Sequence, residues 1–192
     1  MADQSSTQQI VEAALECEKA TGIPAEVTAA QCILESGWLQ HAPQNNCFGI
    51  KSYPGCFGLQ LLKTDEWFTE VERVHFLGGK AGRSTILASG PNAAGRCLYE
   101  CRDWFATFPT LADCFTEHSQ LLLIGRYLDP LRVYREDGNI EAYVRAIAPI
   151  YATDPKYADK IMNIIQSTNL KREFTKQRDR TTTGATPDKQ VS

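Results

Sequence analysis

The chain has 192 residues, 43% of them hydrophobic, which is enough to bury one sizeable core, short for two, and too apolar for a disordered chain. No apolar run reaches the roughly 18 residues that a membrane-spanning helix needs. The formal net charge is −3; the stretch from Lys171 onward holds six basic and three acidic residues, so residues 1–170 carry −6, and an acidic body argues against nucleic acid as the main partner.

The opening "MADQSSTQQIVEAALE" has no basic start followed by an apolar core, so no secretory signal is expected. Residues 7–21 read as a helix, with Ile10, Val11, Ala14 and Leu15 on one face and Gly22 as the stop. Pro24 suits a first helical position, so a second helix should run over about 24–36, burying Val27, Ala30, Ile33 and Leu34 and ending at Gly37. Turn signals follow in "HAPQNN" and "YPG". Leu59, Leu61, Thr69, Val71 and Arg73 then show partial alternation, the pattern of a β-hairpin or short sheet. Residues 77–96 hold five of the thirteen glycines and read as a long loop.

Helices return after Pro109. Thr110 can cap a segment that places Leu111, Cys114, Phe115, His118, Leu121 and Leu122 on one side. Asn139 can cap "IEAYVRAIA". Asp154 can cap a helix with Pro155 at its first position and Tyr157, Ile161, Ile164 and Ile165 inward. From Lys171 the chain is polar and reads as a disordered tail over 171–192. The expected architecture is mainly α with a small β-lobe after the second helix, the lobe forming one wall of a cleft. Seven cysteines include no C-x-x-C pair, and His41, His75 and His118 lack the spacing of a zinc set. Cys47 with Cys56, or Cys97 with Cys101, are the pairs that could bridge in an oxidising compartment, while Cys32 reads as a core residue.

One glutamate stands out. Glu35 ends an apolar helix, with Ile33 and Leu34 before it and Trp38 after it. Two carboxylates across a cleft can break a glycosidic bond: one protonates the leaving oxygen, and the other stabilises the cationic centre, attacks it or activates water. The acid needs an apolar setting that keeps it protonated. The competing reading of Glu35 is a solvent-exposed residue in a last helical turn, a place the helix dipole disfavours for a carboxylate.

"GIPAEVTAAQCILESGW", "NNCFGIK", "LKTDEW" and "YATDPKYADKIMNII" occur in that order. Over about residues 8–166 the chain thereby resembles the peptidoglycan β-N-acetylglucosaminidases of glycoside hydrolase family 73, the flagellar and autolysin type within the lysozyme-like superfamily. The resemblance implies a lysozyme-like fold over residues 1–170, Glu35 as general acid, Glu66 as second carboxylate, and Tyr151 at the catalytic centre. It implies that Asn45, Asn46, Phe48, Gly49, Ile50 and Lys51 shape the cleft floor. Trp38 and Trp67 are expected to stack on sugars, and Tyr53, Phe68 and Trp104 could do so, although a core role suits Trp104 with Phe105 and Phe108 beside it. Asp65, Glu70 and Glu72 rival Glu66; in an alternating strand Glu66, Glu70 and Glu72 share a face and Asp65 points away. The second carboxylate is dispensable if the acetamido group of N-acetylglucosamine attacks the anomeric carbon itself. Tyr151 would then orient that group; otherwise it is a half-buried aromatic with its hydroxyl in water. The sequence departs from the family at Cys47, at Leu39 where glycine often follows the tryptophan, and in the length of residues 74–97.

The leading expectation is a hydrolase of the β-1,4 glycan strand of peptidoglycan, cutting between N-acetylglucosamine and N-acetylmuramic acid. The alternatives are muramidase specificity, a non-catalytic glycan-binding module, and a cysteine-rich regulatory domain, the last disfavoured by the cysteine spacing. No metal or cofactor is required. A phage lysin or an antibacterial effector acting as a monomer in the periplasm or cell wall, the effector restrained by an inhibitor that plugs the cleft, fits a chain without a visible signal.

Overall fold

A computed structural model describes residues 4–72, 85–86, 91–152 and 154–182. Helix α1 spans Gln4–Thr21, α2 Ala25–Ser36, α3 Leu111–Leu122, α4 Leu128–Asp137, α5 Ile140–Tyr151, α6 Tyr157–Ile165 and α7 Thr168–Thr182. Strands are β1 Gly58–Phe68, β2 Thr85–Ile86 and β3 Cys97–Thr107. The chain divides into a helical unit, Met1–Gly49 with Pro109–Ser192, and a β unit, Ile50–Phe108. This is the expected mainly-α, α+β content.

The helical unit is built round α2. Its residues Val27, Ala30 and Cys32 are fully buried, and Ile33 is nearly so. They belong to or adjoin a core with Leu122, Leu131, Tyr143, Val144, Ile147, Tyr157 and Ile161. Burying a side chain of Leu, Ile or Val size contributes about 1.5–3 kcal/mol, so this cluster dominates the unit's stability. The expected caps form. The Thr110 hydroxyl accepts the Asp113 N–H at 3.1 Å while the Asp113 carboxylate accepts the Thr110 N–H at 3.0 Å, a reciprocal capping box. Asn139 accepts the Ala142 N–H at 3.0 Å. Asp154 instead organises a turn, accepting the Lys156 N–H at 2.9 Å, so α6 starts at Tyr157 rather than at Pro155.

The tail differs from expectation. Residues 168–182 form α7, with Leu170 fully buried and Phe174 5% exposed. Their spacing puts both on one helical face with Gln177, whose side-chain amide donates to Glu12 of α1 at 3.3 Å. Density of charge hid an amphipathic helix there; residues 183–192 lie outside the described residues.

In the β unit, β1 pairs antiparallel with β3, from Gly58 opposite Thr107 to Phe68 opposite Cys97. β2 pairs with β3 through Thr85 and Ile86, giving the order β1-β3-β2. The expected hairpin partner of β1 is corrected: β1 stops at Phe68, and residues 70–72 turn helical. Glu70 and Glu72 therefore do not continue the strand face of Glu66. Much of the expected loop over 77–96 lies outside the described residues.

All seven cysteines are free thiols, so neither expected bridge is present. Cys47 Sγ sits 3.8 Å from Cys114 Sγ, both buried.

Candidate functional site

In the helical unit, α2 ends because Gly37 adopts the left-handed conformation at φ 57° and returns its N–H to the Ile33 carbonyl at 3.0 Å. Trp38 and Leu39 follow in the same region at φ 63° and 66°, which only glycine enters without cost. The fully buried Ser36 holds this turn together. Its hydroxyl donates to the Cys32 carbonyl at 2.6 Å and accepts the Leu39 N–H at 3.0 Å. Three consecutive left-handed residues thus present Trp38, partly exposed, beside Glu35.

Glu35 reaches the surface, yet the protein crowded around its carboxyl desolvates the charged form and raises its pKa above the ordinary glutamate value. Exposure of the residue and crowding around its carboxyl are compatible, and the group is held toward its acid form. Its position in the last turn of a helix, at the negative end of the helix dipole, acts in the same direction.

The charge of Glu35 is felt by two tyrosines, Tyr151 and Tyr157, whose phenol pKa values are raised first by burial and further by Glu35 among their neighbours. Tyr151 closes α5 and Tyr157 opens α6. Their rings stack with centroids 5.3 Å apart. Gln31 of α2 donates its side-chain amide to the Tyr157 hydroxyl at 3.3 Å. The Tyr151 hydroxyl meets His118 Nε2 at 3.0 Å. His118 is buried, and burial alone pushes its pKa down to about 3, so the imidazole is neutral.

The Asn-Asn-x-Phe-Gly segment approaches this cluster from beneath. Phe48 lies flat on the His118 ring, centroids 3.8 Å apart and planes 10° apart, and meets Phe115 edge-on at 5.0 Å. Phe48 and Asn46 are buried, so their part is to hold the site rather than to meet a ligand broadly. Asn45, left-handed at φ 61°, donates its amide to the Pro109 carbonyl at 3.1 Å. Gly49 is exposed at φ 63°, and a Cβ there would meet nothing, so glycine serves the backbone and not the space.

In the β unit, Glu66 accepts from Lys51 Nζ at 2.7 Å and from the Thr64 hydroxyl at 3.3 Å. Lys51 also pairs with Asp103 at 3.0 Å and lies 4.2 Å from the Phe105 ring centroid. Burial works against the Lys51 ammonium, but its two carboxylate partners outweigh that and keep its pKa above the ordinary value. Trp67, 45% exposed, neighbours Glu66 along the strand and by alternation faces the other side of the sheet. Asp65 likewise faces away, as expected. Glu72 accepts from the Thr69 N–H at 2.8 Å and from Arg96 at 2.6 Å, and Glu70 is 3.5 Å from the Tyr99 hydroxyl. Trp104 lines a hollow of about 500 Å³ with Tyr53, Leu59 and the 52–56 turn, so it is not a core residue alone.

The structure thus joins Glu35, Tyr151 and Phe48 in one unit, and Lys51 and Glu66 in the other. Sequence reasoning missed Tyr157 and Gln31, which brace Tyr151, and Asp103, which shares Lys51; Tyr157 was inside a quoted motif. Among the described residues no cluster of His, Cys, Asp or Glu could hold a metal ion, and no helix is long and apolar enough to cross a membrane.

The family model described as glucosaminidase, mannosyl-glycoprotein endo-beta-N-acetylglucosaminidase, matches residues 11–170. An exo-glucosaminidase, LytG of Bacillus subtilis, is 32% identical over 152 residues, covering 75% of this chain and 44% of that protein. An autolysin of Enterococcus faecalis is 28% identical over 177 residues, covering 88% of this chain and 20% of that protein. The chain therefore spans less than half the length of the curated relatives it matches. The catalytic domain of the autolysin Auto from Listeria monocytogenes superposes with a TM-score of 0.62 at 23% identity, covering 88% of this chain and 86% of that chain. The glycoside hydrolase domain of FlgJ from Salmonella typhimurium, truncated at its C-terminus, gives 0.59 at 21% identity, covering 85% and 96%. These similarities in shape support the α+β, lysozyme-like fold.

Proposed function

Since the chain belongs to the glucosaminidase family, we propose that it hydrolyses the β-1,4 glycan strand of bacterial peptidoglycan between N-acetylglucosamine and N-acetylmuramic acid. The observation that carries this reading is Glu35: an accessible carboxyl at a helix end, held toward its acid form by desolvation, with Tyr151 and Tyr157 in its electrostatic reach.

Glu35 donates its proton to the glycosidic oxygen as the bond to the anomeric carbon breaks. The carbonyl oxygen of the substrate's own acetamido group attacks that carbon, giving a cyclic oxazolinium. Water then opens the ring and returns a proton to Glu35. Tyr151 donates its O–H to the acetamido group and fixes the attack geometry. Glu66, clamped by Lys51, is the second carboxylate, and it supplies negative charge rather than a covalent bond in this scheme. Trp38 supports a sugar ring, while Asn45, Asn46, Phe48 and Gly49 hold the helical part of the site. The catalytic region runs over residues 1–170, with α7 packed onto it. The setting we favour is the periplasm or cell wall, as a released lysin or a delivered antibacterial effector with a plugging inhibitor as partner.

The test is digestion of purified peptidoglycan, followed by borohydride reduction and mass spectrometry of the fragments. Reduced N-acetylglucosamine ends are expected. Reduced muramic ends would move the chain to muramidase specificity, and no cleavage by folded protein would turn it into a binding module.

A further inference from the structure

We propose that His118 is a positioning residue: its Nε2–H donates to the Tyr151 oxygen, which forces the Tyr151 O–H outward to the substrate. This rests on the reading of Tyr151 as the group that orients the acetamido carbonyl.

A neutral imidazole carries one proton, on Nδ1 or on Nε2. Burial favours the neutral ring. The buried Nδ1 has no protein hydrogen-bond partner, whereas Nε2 has the Tyr151 hydroxyl at 3.0 Å. Placing the proton on Nδ1 would leave a buried N–H without a protein acceptor, a state that folded proteins strongly avoid. Placing it on Nε2 spends it on Tyr151. The choice has a consequence for the phenol. Tyr151 has a single proton, and when its oxygen accepts from His118 that proton must go elsewhere.

Two acceptors compete for it. One is the Tyr157 oxygen, on the ring that stacks against Tyr151 with centroids 5.3 Å apart. The other is a ligand carbonyl. In both cases His118 Nε2–H must be the donor, because the reverse arrangement would turn the Tyr151 proton inward to Nε2 and leave only lone pairs for a substrate carbonyl. Accepting a bond also polarises the phenol and strengthens it as a donor. Phe48, itself met edge-on by Phe115, lies flat on the imidazole and restricts its tilt. The buried Phe48 of the Asn-Asn-x-Phe-Gly segment thereby acts on Tyr151 through His118.

The tautomer is read directly by long-range proton–nitrogen NMR of the labelled protein. The expected spectrum has Nε2 protonated and Nδ1 bare for His118, unchanged between about pH 5 and 8. A protonated Nδ1 with a bare Nε2 overturns the proposal. Kinetics on peptidoglycan give the functional arm. His118→Gln, which keeps an N–H donor near Nε2, is expected to stay within about threefold of wild type. His118→Leu is expected to lose roughly 10–100-fold in kcat with KM little changed, about as much as Tyr151→Phe, and the double variant no more than either single one. Normal turnover in His118→Leu beside a crippled Tyr151→Phe overturns the role of His118 and leaves Tyr151 standing. Full activity in Tyr151→Phe overturns the reading of Tyr151 instead. If His118→Leu does not fold, the His118→Gln rates and the NMR spectrum decide the matter: a loss in folded His118→Gln as deep as that of Tyr151→Phe overturns the proposal.

Discussion

Leu39 occupies a left-handed position, φ 66°, immediately after Gly37 and Trp38, and the reversal of a familiar preference should be measurable there. Leu39→Ala and Leu39→Gly both remove the side chain beyond Cβ, so the difference between them isolates the backbone. In a left-handed conformation a residue with a Cβ costs about 1–2 kcal/mol that glycine does not. Glycine in turn costs about 0.5–1 kcal/mol more than alanine through its greater freedom in the unfolded chain. The balance leaves Leu39→Gly more stable than Leu39→Ala by about 0.5–1 kcal/mol, or about 1–4 °C in Tm for a chain of this size. At an ordinary helical position alanine wins by about 1 kcal/mol. Urea unfolding of the two variants, compared with each other and not only with wild type, gives the sign. An alanine variant as stable as the glycine variant, or more so, would refute the strained turn as the means by which Trp38 is presented.

Three further outcomes follow from the same structure. Leu170→Ala removes a fully buried side chain from α7 and should destabilise the protein by about 2–5 kcal/mol, read by urea unfolding; an unchanged midpoint would show that α7 does not pack. Glu35→Gln should gain stability relative to wild type as pH rises from about 4 to 7. The raised folded pKa of Glu35 means that its contribution is fully present below the unfolded pKa and is lost as pH rises through the folded one; a pH-independent gap between the two proteins would contradict the desolvation. His118, pushed down to about 3 from its ordinary 6.5, contributes stability above 6.5 that is lost as pH falls through about 3. His118→Gln should therefore lose less stability than wild type over that window in denaturant titrations at successive pH values, and parallel curves would contradict a neutral buried imidazole.

Local chemistry made part of the fold legible. Thr110, Asn139 and Gly37 are caps whose partners lie within four residues, so their helices could be read directly. β1 was readable as a strand, but its partner β3 begins 29 residues after β1 ends, and no local signal announces such a pairing. The Tyr99, Cys101 and Phe105 alternation in β3 was present but interrupted by charged residues. In α7 the buried Leu170 and Phe174 are outnumbered by lysine, arginine and polar neighbours, so composition masked the period. At the site, Glu35 was visible because a carboxylate at the end of an apolar helix is out of place. The His118–Tyr151 contact joins residues 33 apart, and the brace of Tyr157 on Gln31 joins residues 126 apart; both come from packing of helices, which sequence spacing does not encode.

The central claim is that Glu35 is the acid that breaks the glycan strand. The most direct measurement is the rate at which wild type and Glu35→Gln release soluble fragments from purified peptidoglycan, with circular dichroism establishing that both are folded. The account predicts a loss of at least about 100-fold in the variant, the scale of a removed general acid. A folded Glu35→Gln protein that cleaves at the wild-type rate would contradict it.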